Sequence, residues 1–251
     1  MNQSPIFFLL GGADLEMQTI REILVGEGIP FADHNLRWDN ALLSSYQKEL
    51  VEYAESTIYG VDLQEDIPFS GNYRSIDHHN QKSHSPSALE QVADLLGLPM
   101  NRYMQLVAAN DKAYIPGMIA LGASQKEVDT IRLADCKAQG VTEQEEAMAV
   151  KAVKENLEEV NGMKIVRALS SRFSPICDRL YPYRNLLVYT DTEWMYYGEN
   201  TLLIRNMFEE AYQEGGLFYG GGTNGYVGIK HGFYVKDEVM KMVERIITIN
   251  K

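Results

Sequence analysis

Cysteine is scarce in this chain. Two occur in 251 residues, Cys136 and Cys177, and their separation fits no metal-binding spacing. That argues against a disulfide framework and makes a reducing cytoplasm the expected compartment. Long apolar runs are missing too: the stretch Ile6 to Leu10 is too short for a signal-peptide core or a membrane-spanning helix. There is no internal repeat and no low-complexity tract. Basic residues are in deficit, with 23 Lys and Arg against 35 Asp and Glu, for a formal net charge of −12. Broad electrostatic binding to duplex nucleic acid or to an anionic membrane is thereby disfavoured. A small phosphate ligand is not, because a divalent cation reverses the local field.

What is present alternates. Ile6 to Leu10 reads as a fully buried strand ended by Gly11-Gly12, with a helix after it that shares Met17, Ile20 and Leu24 on one face. Ile29 to Ala32 is a weaker strand, Ala41 to Tyr53 helical, Thr57 to Val61 a second buried strand, and Arg74 to Ile76 a short third one. Ser87 with Glu90 makes a capping box for a helix that Gly97 and Pro99 stop, and Met100 to Asn110 continues as helix to Asp111. A second capping box, Thr142 with Glu145, opens a charged helix expected to run to about Val160 with Val150, Val153 and Leu157 as its apolar stripe. After Asn161-Gly162 strands recur at Lys164 to Leu169, Leu186 to Tyr189 and Trp194 to Tyr197, then a helix from Thr201 to Tyr212 and a last one carrying Val239, Met242, Val243 and Ile246. Alternating strands and helices predict an α/β fold with a mostly parallel sheet and helices on both faces. Residues 1–140 are expected as a sheet domain, 141–162 as a connecting helix, and 163–251 as a smaller α/β accessory domain.

The acidic residues fall at telling places. Asp14 and Glu16 follow the first strand, Asp62 ends "TIYGV", Asp77-His78-His79 follows the third strand, and Asp111 follows a helix. In open parallel sheets ligands bind beyond the carboxyl ends of the strands, so these groups are expected to converge on one edge. Mixed carboxylate–imidazole sets suit Mn²⁺ or Zn²⁺, and oxygen-rich ones Mn²⁺ or Mg²⁺. A bridging carboxylate can hold two ions about 3.5–4 Å apart, a geometry that activates water against a phosphorus centre. Taken singly, Asp14 is as well read as a helix cap, Asp62 as a turn residue and the histidines as loop residues. The ordered set carries the metal reading. Near the C-terminus, Gly220-Gly221-Gly222-Thr223 is either a backbone anion site or a tight turn. The aromatics from Tyr181 to Tyr197 read as strand packing and loop surface.

These motifs resemble the DHH phosphoesterase superfamily, which includes RecJ-like exonucleases, nanoRNA and cyclic-dinucleotide phosphodiesterases, and manganese-dependent pyrophosphatases. "LGGADLE", Leu10 to Glu16, is similar to the first motif of that family, Asp62 in "YGVD" to the second, Asp77-His78-His79 to the third, and Asp111 in "AANDKAY" to the fourth. Gly220-Gly221-Gly222-Thr223 is similar to the Gly-Gly-Gly-His of its accessory domain. The resemblance runs over most of the chain. It implies a metal-dependent phosphoesterase using one or two Mn²⁺, with Mg²⁺ as substitute. Asp14 and Asp62 would hold one ion, and Glu16, Asp62, His78 and Asp111 the second. His79 would contact the scissile phosphate, Asp77 would orient a histidine, and the glycine loop would bind substrate. Four departures stand out. Leu10 replaces a metal-binding His, Glu16 replaces an Asp, Thr223 replaces the loop His, and the Ser-x-Arg of nuclease members has no match. The expected ligand is therefore a small phosphorylated compound such as a short oligonucleotide, nucleotide or polyphosphate. A non-catalytic nucleotide- or metal-binding module is the alternative. A homodimer is compatible with the sequence.

Overall fold

Five consecutive uncharged apolar residues form β1 (Ile6–Leu10), of which the last four are buried, as suits a strand covered on both faces. The computed structural model describes residues 5–37, 40–79, 82, 84–220 and 225–249. It divides into two compact units, Met1–Gly140 and Val141–Lys251.

In the first unit β1 leads through α1 (Leu15–Gly26) to β2 (Phe31–Asp33). A 3-10 turn at Leu43–Tyr46 runs into α2 (Gln47–Glu52), shorter than the helix expected from Ala41 to Tyr53. Then come β3 (Thr57–Val61), β4 (Tyr73–Ile76), α3 (Ala88–Leu96), α4 (Arg102–Ala120) and α5 (Gln125–Ala138). The sheet order is β2-β1-β3-β4, and each pairing is parallel. All four carboxyl ends therefore share one edge. Phe7 and Leu9 pack with Leu43 and Tyr46; the alternate residues Phe8 and Leu10 point to the opposite face and are equally buried. The box of Ser87 and Glu90 caps α3, which ends on Gly97 in the left-handed conformation at φ 66°, where a side chain would add strain. Helix α4 does not stop at Asp111. It continues, but breaks at Ala113 (φ −149°, ψ 21°) and Tyr114 (φ 54°, ψ −147°).

In the second unit α6 (Glu143–Asn156) ends four residues before Val160, and the remainder is a strand, β5 (Leu157–Val160). It pairs with β6 (Met163–Arg167) in an antiparallel hairpin whose two-residue turn is Asn161-Gly162, at φ 50° and 80°. Both values demand the left-handed region, which Asn and Gly accept. Residues 141–162, expected to connect two domains, pack inside this unit. Ala149 and Ala152 of α6 are its buried positions, whereas Val150 and Leu157, expected as the apolar stripe, are half exposed. The chain goes on through α7 (Ser174–Leu180), β7 (Asn185–Tyr189), β8 (Trp194–Gly198), α8 (Thr201–Met207), α9 (Glu209–Gln213), β9 (Leu217–Gly220), β10 (Tyr226–Ile229) and α10 (Lys236–Ile249). The mixed sheet runs β5-β6-β7-β8-β10-β9. One face packs α6 and α7 through Ala152 and Ile176 against Val166 and Val188. The other packs α10 through Val239, Val243 and Ile246 against Ile165, Leu187 and Trp194. Among the described residues no helix is long and apolar enough to cross a membrane.

Candidate metal centre

The shared carboxyl edge of the first sheet gathers the acids. Gly11 follows β1 and donates its N–H to Val61 O at 2.9 Å. A Cβ on Gly11 would lie 2.5 Å from Leu63 Cδ2 and 2.6 Å from the Asp62 carbonyl oxygen. Only glycine lets the exits of β1 and β3 press together here. Asp62 itself has φ 48°, a left-handed conformation that costs a non-glycine residue about 1 kcal/mol or more and that recurs at active sites and turns.

Among the described residues, Glu16 Oε2, Asp62 Oδ1, His78 Nε2 and Asp111 Oδ2 are buried and have no assigned hydrogen-bond partner. They nonetheless stand close together. His78 Nε2 lies 2.6 Å from Asp111 Oδ2 and 3.5 Å from Glu16 Oε2. Both are ion-pair contacts of a buried imidazole with a buried carboxylate. Ligand-capable atoms group in two sets that share His78: Glu16, His78 and Asp111, and Asp62, His78 and His79. Buried polar atoms normally find partners, and a cation that accepts oxygen and imidazole ligands satisfies this set. The residues present therefore fit a divalent metal.

Glu16 divides its two oxygens. Oε1 accepts from the Leu89 N–H at 3.0 Å, in the first turn of α3, while Oε2 faces His78. Burial pushes the His78 imidazolium down, but the Asp111 and Glu16 carboxylates together outweigh it and carry the group up to about 10. Burial raises Asp111 to about 6 even with His78 beside it, and raises Asp62 as well. His79 Nδ1 lies 3.0 Å from Asp77 Oδ1 and 3.5 Å from Asp62 Oδ1; burial lowers its pKa, and the two carboxylates more than restore it. Its side chain is one-third exposed where His78 and Asp62 are closed off. Asp77 also accepts from the His79 N–H at 2.8 Å and has Lys82 Nζ at 3.5 Å. Burial pushes the Asp77 carboxyl up, and the His79 and Lys82 contacts hold it below the usual range.

Asp14 is in neither ligand set among the described residues. Its Oδ1 accepts from Met17 N at 2.8 Å and caps α1, and burial raises it to about 7. Leu10 is fully buried, and its carbonyl oxygen accepts from the Tyr46 hydroxyl at 2.5 Å. His34, the histidine nearest to Leu10 in sequence, stacks on Tyr46 and lies 3.1 Å from Glu49; it joins neither set. In the second unit Gly220 ends β9 opposite Tyr226, and Gly221, Gly222 and Thr223 lie outside the described residues. Sequence reasoning missed α5 and its two buried charges, Arg132 and Asp135. The Ser124 to Glu127 capping box at its start was the available signal.

No protein-family model matches the sequence, and no curated protein matches it. Two solved structures share the fold. A pGpG-specific phosphodiesterase from Vibrio cholerae superposes with a TM-score of 0.51 at 12% identity, over 99% of this chain and 100% of that one. The DHH domain of a member of a ribosomal-protein family gives a TM-score of 0.53 at 12% identity, over 97% of this chain and 87% of that one. The likeness is one of fold: this chain folds as that phosphodiesterase and that DHH domain do.

Proposed function

We propose that this chain is a metal-dependent phosphoesterase of the DHH fold, acting on a small phosphorylated compound. The observation that carries the reading is the convergence of the buried Glu16, Asp62, His78 and Asp111 side chains, whose ligand-capable atoms group at one sheet edge. These residues would hold the ion; the carboxylates suit Mn²⁺ or Mg²⁺ and the imidazole also suits Zn²⁺, and the resemblance points to Mn²⁺. A divalent ion there supplies Lewis acidity toward a phosphoryl oxygen and a water of lowered pKa. The chain's own residues do the rest. His79, the more exposed histidine, would contact the phosphate, and Asp77, which bonds its Nδ1 and backbone N–H, would fix the ring. Gly220-Gly221-Gly222-Thr223 is assigned to substrate on the resemblance. The net charge of −12 repels long polyanions more strongly than small anions. A cytoplasmic location belongs to the same proposal.

A second reading has one observation in its favour. With Leu10 apolar and Asp14 spent on capping α1, a second ion has few protein ligands, which suits a module that binds metal or nucleotide without turnover.

Titration calorimetry with Mn²⁺ on wild type and Asp62→Ala, followed by hydrolysis assays on a dinucleotide, pyrophosphate and long single-stranded DNA, tests both. The expected result is at least one Mn²⁺ site lost in Asp62→Ala, and turnover of a small substrate that His79→Ala abolishes. Unchanged Mn²⁺ binding by Asp62→Ala removes the metal assignment, and fast degradation of the long DNA removes the substrate class. Metal bound with no turnover establishes the second reading.

A further inference from the structure

We propose that Arg132 and Asp135, two buried charges on α5, are positioning residues that set the spacing between Glu16 and Asp111. The inference rests on reading those two carboxylates as metal ligands. Arg132 is 7% exposed and Asp135 5%. The Arg132 guanidinium donates to Asp135 Oδ2 at 2.6 Å and to Asn110 Oδ1 at 2.9 Å, and lies 4.5 Å from the centre of the Tyr114 ring. It therefore grips the chain on both sides of Asp111, at the residue before it and at the residue three after it. The other carboxylate oxygen, Asp135 Oδ1, accepts from Leu15 N at 3.2 Å. Leu15 is the residue next to Glu16. A continuous path of direct contacts thus joins the backbone that carries Glu16 to the backbone that carries Asp111, and it runs through one ion pair.

Two features say that this pair does more than hold α5 in place. A buried ion pair is seldom more stabilising than apolar residues of the same volume, so helix packing alone gives no reason for it. The segment it grips is also strained. Tyr114 has φ 54° and ψ −147°, a region occupied almost only by glycine, and Gly117 meets the kink so closely that a Cβ would lie 2.5 Å from Ala109 O. Pro116 keeps this segment from closing into regular helix, but without Arg132 the turn after Asp111 loses its hold on α5, and the carboxylate can shift with it. Groups that orient ligating side chains typically contribute about 10- to 100-fold to metal affinity.

The test compares Arg132→Met, Asp135→Ala and Asp135→Asn with wild type, and uses Ile131→Val as a control for simple loss of packing on the same helix. Mn²⁺ dissociation constants are measured by calorimetry well below each melting temperature, and amide spectra are recorded on the metal-free proteins. We expect Arg132→Met and Asp135→Ala to weaken Mn²⁺ binding about 10-fold or more. Asp135→Asn, which keeps an oxygen for Leu15 N, should bind more tightly than Asp135→Ala, and Ile131→Val should bind as wild type does. In the metal-free spectra the Leu89 amide, bonded to Glu16, should shift in Arg132→Met although it lies outside α5. Affinities within twofold of wild type in all variants, with wild type binding Mn²⁺, would overturn the inference and leave the proposed function standing. If wild type binds no Mn²⁺, the proposed function falls, and an unmoved Leu89 amide then disposes of the positioning role as well. Should Arg132→Met not fold, Asp135→Asn and Asp135→Ala decide the matter by their order.

Discussion

Asp14→Asn should stabilise the metal-free protein, and the gain should depend on pH in a defined way. Asp14 is buried at the first turn of α1, and its carboxyl is raised from 3.8 to about 7, chiefly by burial. The direction matters. An acid whose folded pKa is raised holds its proton in the folded protein while the unfolded chain has already lost it. Between 3.8 and about 7 the folded state binds more protons, so stability falls as pH rises and stays low above 7. Each pKa unit is worth about 1.4 kcal/mol, so the full cost at pH 8 is on the order of 4 kcal/mol. Asn has nearly the same shape, keeps an oxygen for the Met17 N–H and is as good a helix cap as Asp, but it carries no charge to desolvate. The variant should therefore gain little at pH 4, about 2 kcal/mol at pH 5.5, and about 4 kcal/mol at pH 7, with no further gain at pH 8. Urea denaturation of both proteins in chelator at these four values measures it. A gain that is flat across the range, or that grows toward acid, would refute the reasoning. Because Asp14 joins neither ligand set, the same variant should keep Mn²⁺ binding, which separates a costly cap from a ligand.

Two further predictions concern the strand exits. Asp62→Gly should raise the stability of the metal-free protein by about 1 kcal/mol, since it removes a left-handed non-glycine residue and a buried carboxylate. It should also abolish Mn²⁺ binding, as thermal denaturation and calorimetry on one preparation will show. Gly11→Ala should cost about 2–3 kcal/mol in a urea titration, because its Cβ meets backbone at Asp62 and Val61, and the shift it forces on Asp62 should weaken Mn²⁺ binding too.

The parts of the fold legible in the sequence were those where one local rule decides. Ile6–Leu10 and Thr57–Val61 are uncharged runs, and both are the strands they read as. The Ser87 and Thr142 capping boxes open helices where expected. The acids after those strands and the Asp-His-His run were legible because strand direction alone puts them on one edge. What stayed hidden depends on tertiary partners. Arg132 and Asp135 look like surface charges until their partnership is known, and with only Val128, Ile131 and Cys136 as buried apolar neighbours on α5 the apolar periodicity was weak. Residue Leu157 looked helical because it continues the spacing of Val150 and Val153, yet the Asn161-Gly162 turn draws it into a strand. Glu158 and Glu159 are exposed on that edge strand and masked its alternation. The kink at Tyr114 has a sequence mark in Pro116, but its strained backbone is held from outside the helix.

The division of labour within Glu16 has a consequence of its own. One oxygen fastens the first turn of α3 through Leu89 N, and the other faces the ion site. The added methylene relative to Asp is what gives a single carboxylate the reach to serve both. Under the proposed function, an ion held by Oε2 would draw on the same side chain that anchors α3. The docking of α3 would then differ between the filled and the empty site, a difference that an Asp at position 16, bonding only one of the two, would not produce.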